Sequence, residues 1–259
     1  MLTHQTEAPM EGWSIERFKA RDGVRLAAHT RGSGRTVVMI HGFLSSTAGN
    51  WIEPGIADRL VEAGFRVVGL DLRGHGASDA PIEPALWPED VLATDGFDLL
   101  AALGLVDYDL VGYSLGARTA ARMLVRGAEP RRAVLGGMGA SGILHAGARA
   151  ELFREWITRG ERAADPAAGR RVHAMMAQNG VMPEAMLGVL SSFVPTTGGQ
   201  LRAIDIPVLA VSGVDDHDNG SPEDLAALLA DGVVMRIPGH HLSAVGAPLG
   251  RAIVDYLTA

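Results

Sequence analysis

The sequence predicts an α/β protein: a largely parallel sheet covered by helices on both faces. Three observations carry that prediction. Short runs of β-branched and other apolar residues alternate with segments of helical period, the mark of stacked βαβ units. The runs are apolar throughout, not at every second residue, as expected of strands buried on both faces. The alternation is broken once, by an interval from Gly139 to Gly199 that carries helical signals and no strand signal.

Each element follows from local chemistry. Trp13–Ala20 and Val24–Arg31 flank Asp22-Gly23, a turn pair suited to a hairpin. Thr36–Ile40, with Val37-Val38-Met39-Ile40 at its heart, reads as a buried strand ending at His41-Gly42-Phe43. A helix over Ile56–Ala63 stops at Gly64, and Arg66–Leu70 is the next strand, ending at Asp71. Pro88–Leu103 reads as helix, Tyr108–Gly112 as strand, Leu115–Arg126 as helix closed by Gly127, and Arg132–Gly136 as strand. Beyond the interval come strand Pro207–Ser212, a helix started by Ser221 as N-cap with Pro222 behind it, strand Val233–Ile237, and a final helix from about Ala244. Within the interval three helical pieces are expected, Ala148–Arg159, Ala167–Gln178 and Glu184–Phe193, started by Asp165-Pro166 and Met182-Pro183 and stopped by Gly160 and Gly180. The domain reading is a core over 1–138 and 200–259, with 139–199 as a helical cap inserted over one end of the sheet.

Composition bounds the function. The chain has 259 residues, 47% hydrophobic and 20% charged, enough for one large domain with a sizeable core. A formal net charge of −7 argues against a nucleic-acid partner, because phosphate backbones demand clustered Lys and Arg. With no cysteine there is neither a disulfide, nor a thiolate metal site, nor a cysteine nucleophile. Met1–Gly12 is polar, without an apolar signal-peptide core, and no stretch approaches the ~20 apolar residues that cross a bilayer. The expectation is a cytoplasmic protein with no membrane partner and a small-molecule substrate; the sequence leaves its oligomeric state open.

Chemistry centres on Gly112-Tyr113-Ser114-Leu115-Gly116. In a chain with 33 glycines the bare Gly-x-Ser-x-Gly pattern is weak. Its setting, an apolar strand before it and a helix after it, strengthens it considerably. Gly112 and Gly116 allow the chain to fold back without side-chain clash, which thrusts the Ser114 hydroxyl out at the carboxyl end of the sheet.

Three segments together, His41-Gly42-Phe43, Asp71-Leu72-Arg73-Gly74-His75-Gly76-Ala77-Ser78 and the Gly112–Gly116 elbow, resemble the α/β-hydrolase fold family in order and spacing. The resemblance covers the chain from about Trp13 to its end. It implies an eight-stranded, mostly parallel sheet and a Ser, acid, His triad in that order, with Ser114 as nucleophile. The acid is expected after the strand beyond the cap, in Gly213-Val214-Asp215-Asp216-His217-Asp218; the family's spacing selects Asp216, with Asp215 as rival. The base is expected in Pro238-Gly239-His240-His241-Leu242, where the pattern selects His241 and leaves His240 open. The resemblance also implies an oxyanion hole from the backbone N–H groups of Phe43 and Leu115, and Phe43, Tyr113 and Met138 beside the substrate.

No metal and no cofactor are expected: no His or carboxylate pair has zinc-site spacing, and a calcium loop at Asp215–Asp218 is broken by His217. His41 and His75 read as shapers of the loops near the site. His4, His29, His145, His173 and His217 read as surface or packing residues. In the cap, Met175, Met176, Met182, Met186, Leu187, Leu190 and Phe193 read chiefly as packing faces, some of them able to line a pocket. The expected activity is hydrolysis of a small-to-medium, fairly apolar and neutral carboxylic ester through an acyl-enzyme. Other serine chemistries of the family (lactone, carbon–carbon bond or peracid) and a non-catalytic ligand-binding role are the alternatives. Family members with an elbow Asp, the haloalkane dehalogenases and epoxide hydrolases, fit Ser114 poorly.

Overall fold

Eight strands form a single sheet in the order β1-β2-β4-β3-β5-β6-β7-β8 in the computed structural model, which describes residues 10–259. The polar N-terminal stretch up to Pro9, and His4 with it, lies outside the described residues. β1 (Ser14–Lys19) and β2 (Arg25–Gly32) are an antiparallel hairpin, and β2 also runs antiparallel to β4 (Arg66–Asp71). All remaining pairings, among β3 (Thr36–Ile40), β4, β5 (Tyr108–Tyr113), β6 (Ala133–Gly136), β7 (Pro207–Gly213) and β8 (Asp231–Ile237), are parallel. The predicted eight-stranded, mostly parallel sheet is therefore present.

The uninterrupted apolar runs have a direct explanation. Val38, Ile40, Val68, Leu70, Leu110 and Leu135 enter one core, packed against α2 (Val91–Ala102), α3 (Leu115–Val125) and the helices between β6 and β7. Their sequence neighbours Val37, Met39, Val67, Val111 and Val134 enter the other, against α1 (Ile56–Glu62) and α10 (Ala247–Thr258). Side chains alternate across a strand, so two cores require both parities to be apolar. Each such buried Val, Leu or Ile contributes about 1.5–3 kcal/mol of transfer free energy.

Five helices, not three, occupy the stretch between β6 and β7: α4 (Ala140–Leu144), α5 (Ala146–Arg159), α6 (Pro166–Asn179), α7 (Pro183–Ser191) and α8 (Gly198–Arg202). The two unanticipated ones, α4 and α8, are only five residues long, too short for a periodic signal. Asp165 caps α6 by accepting the Ala168 N–H, and Thr197 with Gln200 forms a capping box on α8. α9 (Pro222–Leu228) follows β7, with Ser221 accepting the Asp224 N–H as its N-cap.

Two boundaries moved for identifiable reasons. α2 begins at Val91 instead of Pro88, because Asp90 adopts a left-handed conformation (φ 60°) and gives its carboxylate to Arg122 on α3. β8 starts at Asp231 instead of Val233, because Asp231 and Gly232 pair with Pro207 and Val208; tertiary pairing overrides their poor strand propensity.

At the carboxyl end of β4, buried Asp71 gathers the loops around it. It accepts the backbone N–H groups of Thr47 and Ala77, each at 2.8 Å, and a His29 Nε2–H hydrogen bond at 2.8 Å. His29 is thus the buried partner of a carboxylate, not an isolated packing residue. Burial opposes the charge on Asp71, yet the His29 hydrogen bond and charge prevail and hold its carboxyl down at about 2. His41 and His75 are fully buried: His41 Nε2 accepts the Leu72 N–H, and His75 Nε2 accepts the Leu44 N–H. Burial lowers the pKa of His41 and pushes that of His75 down to about 3.

These neutral rings make stability acid-sensitive. Below about pH 6.5 the unfolded chain protonates histidines that the folded chain keeps neutral, so stability falls as pH falls, until the folded value is reached. For His75 alone the loss between pH 7.5 and pH 5 is about 2 kcal/mol, and His41 adds in the same direction. Urea unfolding at the two pH values is expected to show this drop; an unchanged free energy would contradict the neutral, buried rings.

Candidate active site

β5 and α3 meet at Ser114 with almost no connecting chain. Ser114 takes φ 54° and ψ −112°, a conformation that costs a side-chain-bearing residue about 1–3 kcal/mol. Its flanking glycines are sterically required. A Cβ on Gly112 would overlap the Gly116 carbonyl, and one on Gly116 would overlap the carbonyl of Ile40 on β3. The Ser114 N–H donates to Gly136 O at 2.8 Å, fixing the turn against β6. Held this way, the hydroxyl stands at the N-terminal end of the eleven-residue α3, where the helix dipole favours negative charge.

Two loops bring partners to it. His241, in the turn after β8, places Nε2 3.0 Å from Ser114 Oγ and Nδ1 2.9 Å from Asp216 Oδ2. An ionised carboxylate can only accept, so Nδ1 carries the proton and Nε2 is left to accept from the serine hydroxyl. Burial disfavours the Asp216 charge, but the His241 hydrogen bond and charge, the Asp218 N–H at 3.1 Å and Arg149 hold its carboxyl below the usual range. The rivals point elsewhere. Asp215 is exposed and uses its N–H on Gly239 O, while His240 is exposed and its Nδ1 accepts the Leu242 N–H.

Phe43 and Leu115 lie at the same point. The Gly42 N–H donates to Asn50 Oδ1 at 2.9 Å and the Leu44 N–H to His75, whereas the N–H groups of Phe43 and Leu115 have no acceptor among the described residues. Leu44, at φ 60°, supplies the bend that turns this loop over Ser114.

Above the serine is a cavity of about 480 Å³. Phe43 and Met138 line it, with Met175, Leu190 and Phe193 from the stretch between β6 and β7. Met176 and Met186 are buried packing residues, and Met182 is exposed. Tyr113 borders the cavity but does something different there. Its ring packs in the core with Trp51, and its hydroxyl donates to the His241 carbonyl at 2.6 Å, so it holds the histidine loop.

Sequence reasoning missed several residues of the wall. Phe153 stacks edge-on against Phe43, with ring centroids 5.1 Å apart, and Trp156 packs on Phe153. Arg118, Arg149 and Arg171 also line the cavity. Arg118 carried one usable signal: it sits one helical turn beyond Ser114, among the small residues Gly116, Ala117, Thr119, Ala120 and Ala121. Asp216, Asp218 and His241 offer ligand-type atoms within 4.8 Å of one another, though Asp216 Oδ2 and His241 Nδ1 already engage each other.

Residues 35–136 match the family model described as alpha/beta hydrolase fold. An esterase from Exiguobacterium antarcticum superposes with a TM-score of 0.72 over 94% of this chain and 99% of its own, at 20% identity. The chain has the α/β-hydrolase fold. Within this fold, the AB hydrolase superfamily protein YisY of Bacillus subtilis is 31% identical over 120 residues, 46% of this chain and 43% of that one. Non-heme chloroperoxidase CPO-A1 of Kitasatospora aureofaciens is 40% identical over 107 residues, 41% of this chain and 37% of that one. The match thus spans less than half the length of each of these relatives. Among the described residues no helix is long and apolar enough to cross a membrane.

Proposed function

We propose that the chain is a serine hydrolase that cleaves a carboxylic ester with a fairly apolar body by way of an acyl-enzyme. The observation that carries this reading is the relay from Ser114 Oγ to His241 Nε2 and from His241 Nδ1 to Asp216, at the foot of a cavity. An unassisted serine hydroxyl is a poor nucleophile at neutral pH. As Ser114 Oγ attacks the ester carbonyl, its proton passes to His241 Nε2, and Asp216 stabilises the resulting imidazolium and fixes the ring.

The tetrahedral oxyanion is received by the N–H groups of Phe43 and Leu115, reinforced by the N-terminus of α3. Their free state and their place beside Ser114 support this role. Loss of one such donor typically costs about 3 kcal/mol. Collapse of the intermediate breaks the bond to the alcohol oxygen, which leaves with the proton held by His241. Water then attacks the acyl-Ser114 carbonyl, gives its proton to the same nitrogen, and the acid departs as the serine recovers its own. Phe43, Phe153, Trp156 and Met175 present the apolar wall against which the substrate body packs.

A fluorophosphonate probe tests the reading directly. The folded chain is expected to take up one equivalent, and pre-incubation with an ester substrate is expected to slow labelling. A folded chain that neither labels nor turns over any ester in a broad panel would remove the hydrolase assignment.

A further inference from the structure

Buried arginines in this protein come with carboxylates, with one exception. Arg73 meets Asp95 and Asp22, and Arg122 meets Asp90 at 2.8 Å. Arg118 is just as buried, only 7% exposed, yet no carboxylate lies within 4.0 Å of it among the described residues. Its Nη2 donates to the Gly142 carbonyl at 2.5 Å and its guanidinium lies over Phe193 at 4.7 Å. Its Nη1 is buried with no hydrogen-bond partner among the described residues. A desolvated charge with an empty donor is costly unless something arrives to pair with it.

The surroundings say what would arrive. Arg118 lines the cavity above Ser114, and so do Arg149 and Arg171. Against these three guanidiniums the wall offers one aspartate, Asp218, which is half exposed and loosely paired with Arg149 at 3.5 Å. In a chain of net charge −7, this one cavity has an excess of positive charge. Burial pushes the Arg118 pKa down to about 10, with Arg149, a second cation, pushing the same way; it stays charged at neutral pH.

Taking the hydrolase reading as its basis, we propose that the substrate bears a carboxylate, which docks on the guanidiniums of Arg118 and Arg149 while its ester carbonyl lies at Ser114. The substrate class is then a half-ester of a dicarboxylic acid, or an ester whose alcohol carries the acid, with an apolar chain between the two groups. This departs from the neutral ester expected from the sequence. A carboxylate suits the site because one empty guanidinium donor beside a second guanidinium matches two oxygens, and the remaining wall is largely apolar.

Monoethyl esters of succinate, glutarate and adipate, and acetoxyacetate with its anion on the alcohol side, are compared by pH-stat with neutral esters of matched length. At least one anionic ester is expected to exceed its neutral partner by about 10-fold in kcat/KM, the scale of one charge-assisted hydrogen bond. Arg118→Met and, separately, Arg149→Met are expected to shrink that ratio by a similar factor, chiefly through KM. The Arg149 variant, at a side chain only partly buried, secures the test should Arg118→Met fail to fold. Calorimetric titration of the Ser114→Ala protein with the same anions, with and without Arg149→Met, separates the two readings. Anion binding that Arg149→Met weakens upholds the subsite even where no ester is cleaved, in which case only the hydrolase reading falls. Turnover of neutral esters without anion preference, or a preference that neither arginine variant moves, overturns the subsite alone. Neither binding nor turnover overturns both.

Discussion

Ser114→Ala is expected to lower ester turnover by about 10⁴-fold or more with the fold intact. Alanine keeps the Cβ that serine carries at φ 54°, so the elbow is no more strained than before, and Gly112 and Gly116 still permit the turn. Under the proposed mechanism, what disappears is the nucleophile, and with it the acceptor of the acyl group. The surviving acceleration over water comes from the oxyanion donors and the binding wall alone, which in serine hydrolases is far smaller than that of the complete triad. Steady-state kinetics with an ester identified in the panel, alongside thermal melts of both proteins, checks the claim. Turnover within tenfold of the unmodified protein would mean that another group attacks the carbonyl.

Arg73→Met is expected to destabilise the chain by about 3–5 kcal/mol, the usual consequence of leaving one partner of a buried ion pair alone. Arg73 is almost completely enclosed. Its Nε and Nη2 reach the two oxygens of Asp95 at 2.6 and 2.5 Å, and Nη1 reaches Asp22 at 2.8 Å and the Leu86 carbonyl at 2.5 Å. Burial raises Asp95 to about 6 even with Arg73 in place, so its charge survives at neutral pH only through that guanidinium. Removing Arg73 leaves Asp95 either charged in an apolar surround or neutral with unmet hydrogen bonds. At about 2–4 °C per kcal/mol for a domain near this size, the midpoint should fall by roughly 10 °C. The double variant Arg73→Met, Asp95→Leu should recover part of the loss, since replacing both partners removes the stranded charge. A single variant that melts within about 2 °C of the parent would show that Asp95 finds other compensation.

Much of this architecture was legible from the chain alone, and the reason is periodicity. Continuous apolar runs such as Val37–Ile40 fit strands with a core on each side. The elbow was legible because two glycines flank a serine between a strand and a helix. What escaped notice were features made by distant segments meeting. Asp90 leaves helical geometry for Arg122, and the start of β8 is recruited by β7. α4 and α8 are too short to show a period. His29 gave no local sign of Asp71, which lies forty-two residues further on. In the candidate site the sequence pattern selects His241 but leaves its neighbour His240 open, because only the folded turn shows which of two adjacent rings reaches Ser114. The cavity arginines were missed because a charged residue in a helix ordinarily reads as solvated, and only the packing of Phe193 and Gly142 over Arg118 reverses that.

The hydrogen bond from Tyr113 to the His241 carbonyl has a geometric corollary. Tyr113 and Ser114 are consecutive residues at one strand end, so the two sides of the Ser114–His241 gap are referenced to the same piece of backbone. The acid loop is tied in likewise, because the Val214 and Asp215 N–H groups donate to Ile237 O and Gly239 O on the histidine's own segment. Breathing of β8, an edge strand, is therefore expected to shift His241 and Asp216 together, while Tyr113 keeps the ring level with Ser114. The working distance is set by a closed loop of short tethers, and errors elsewhere in the sheet enter it as common displacement, not as separation.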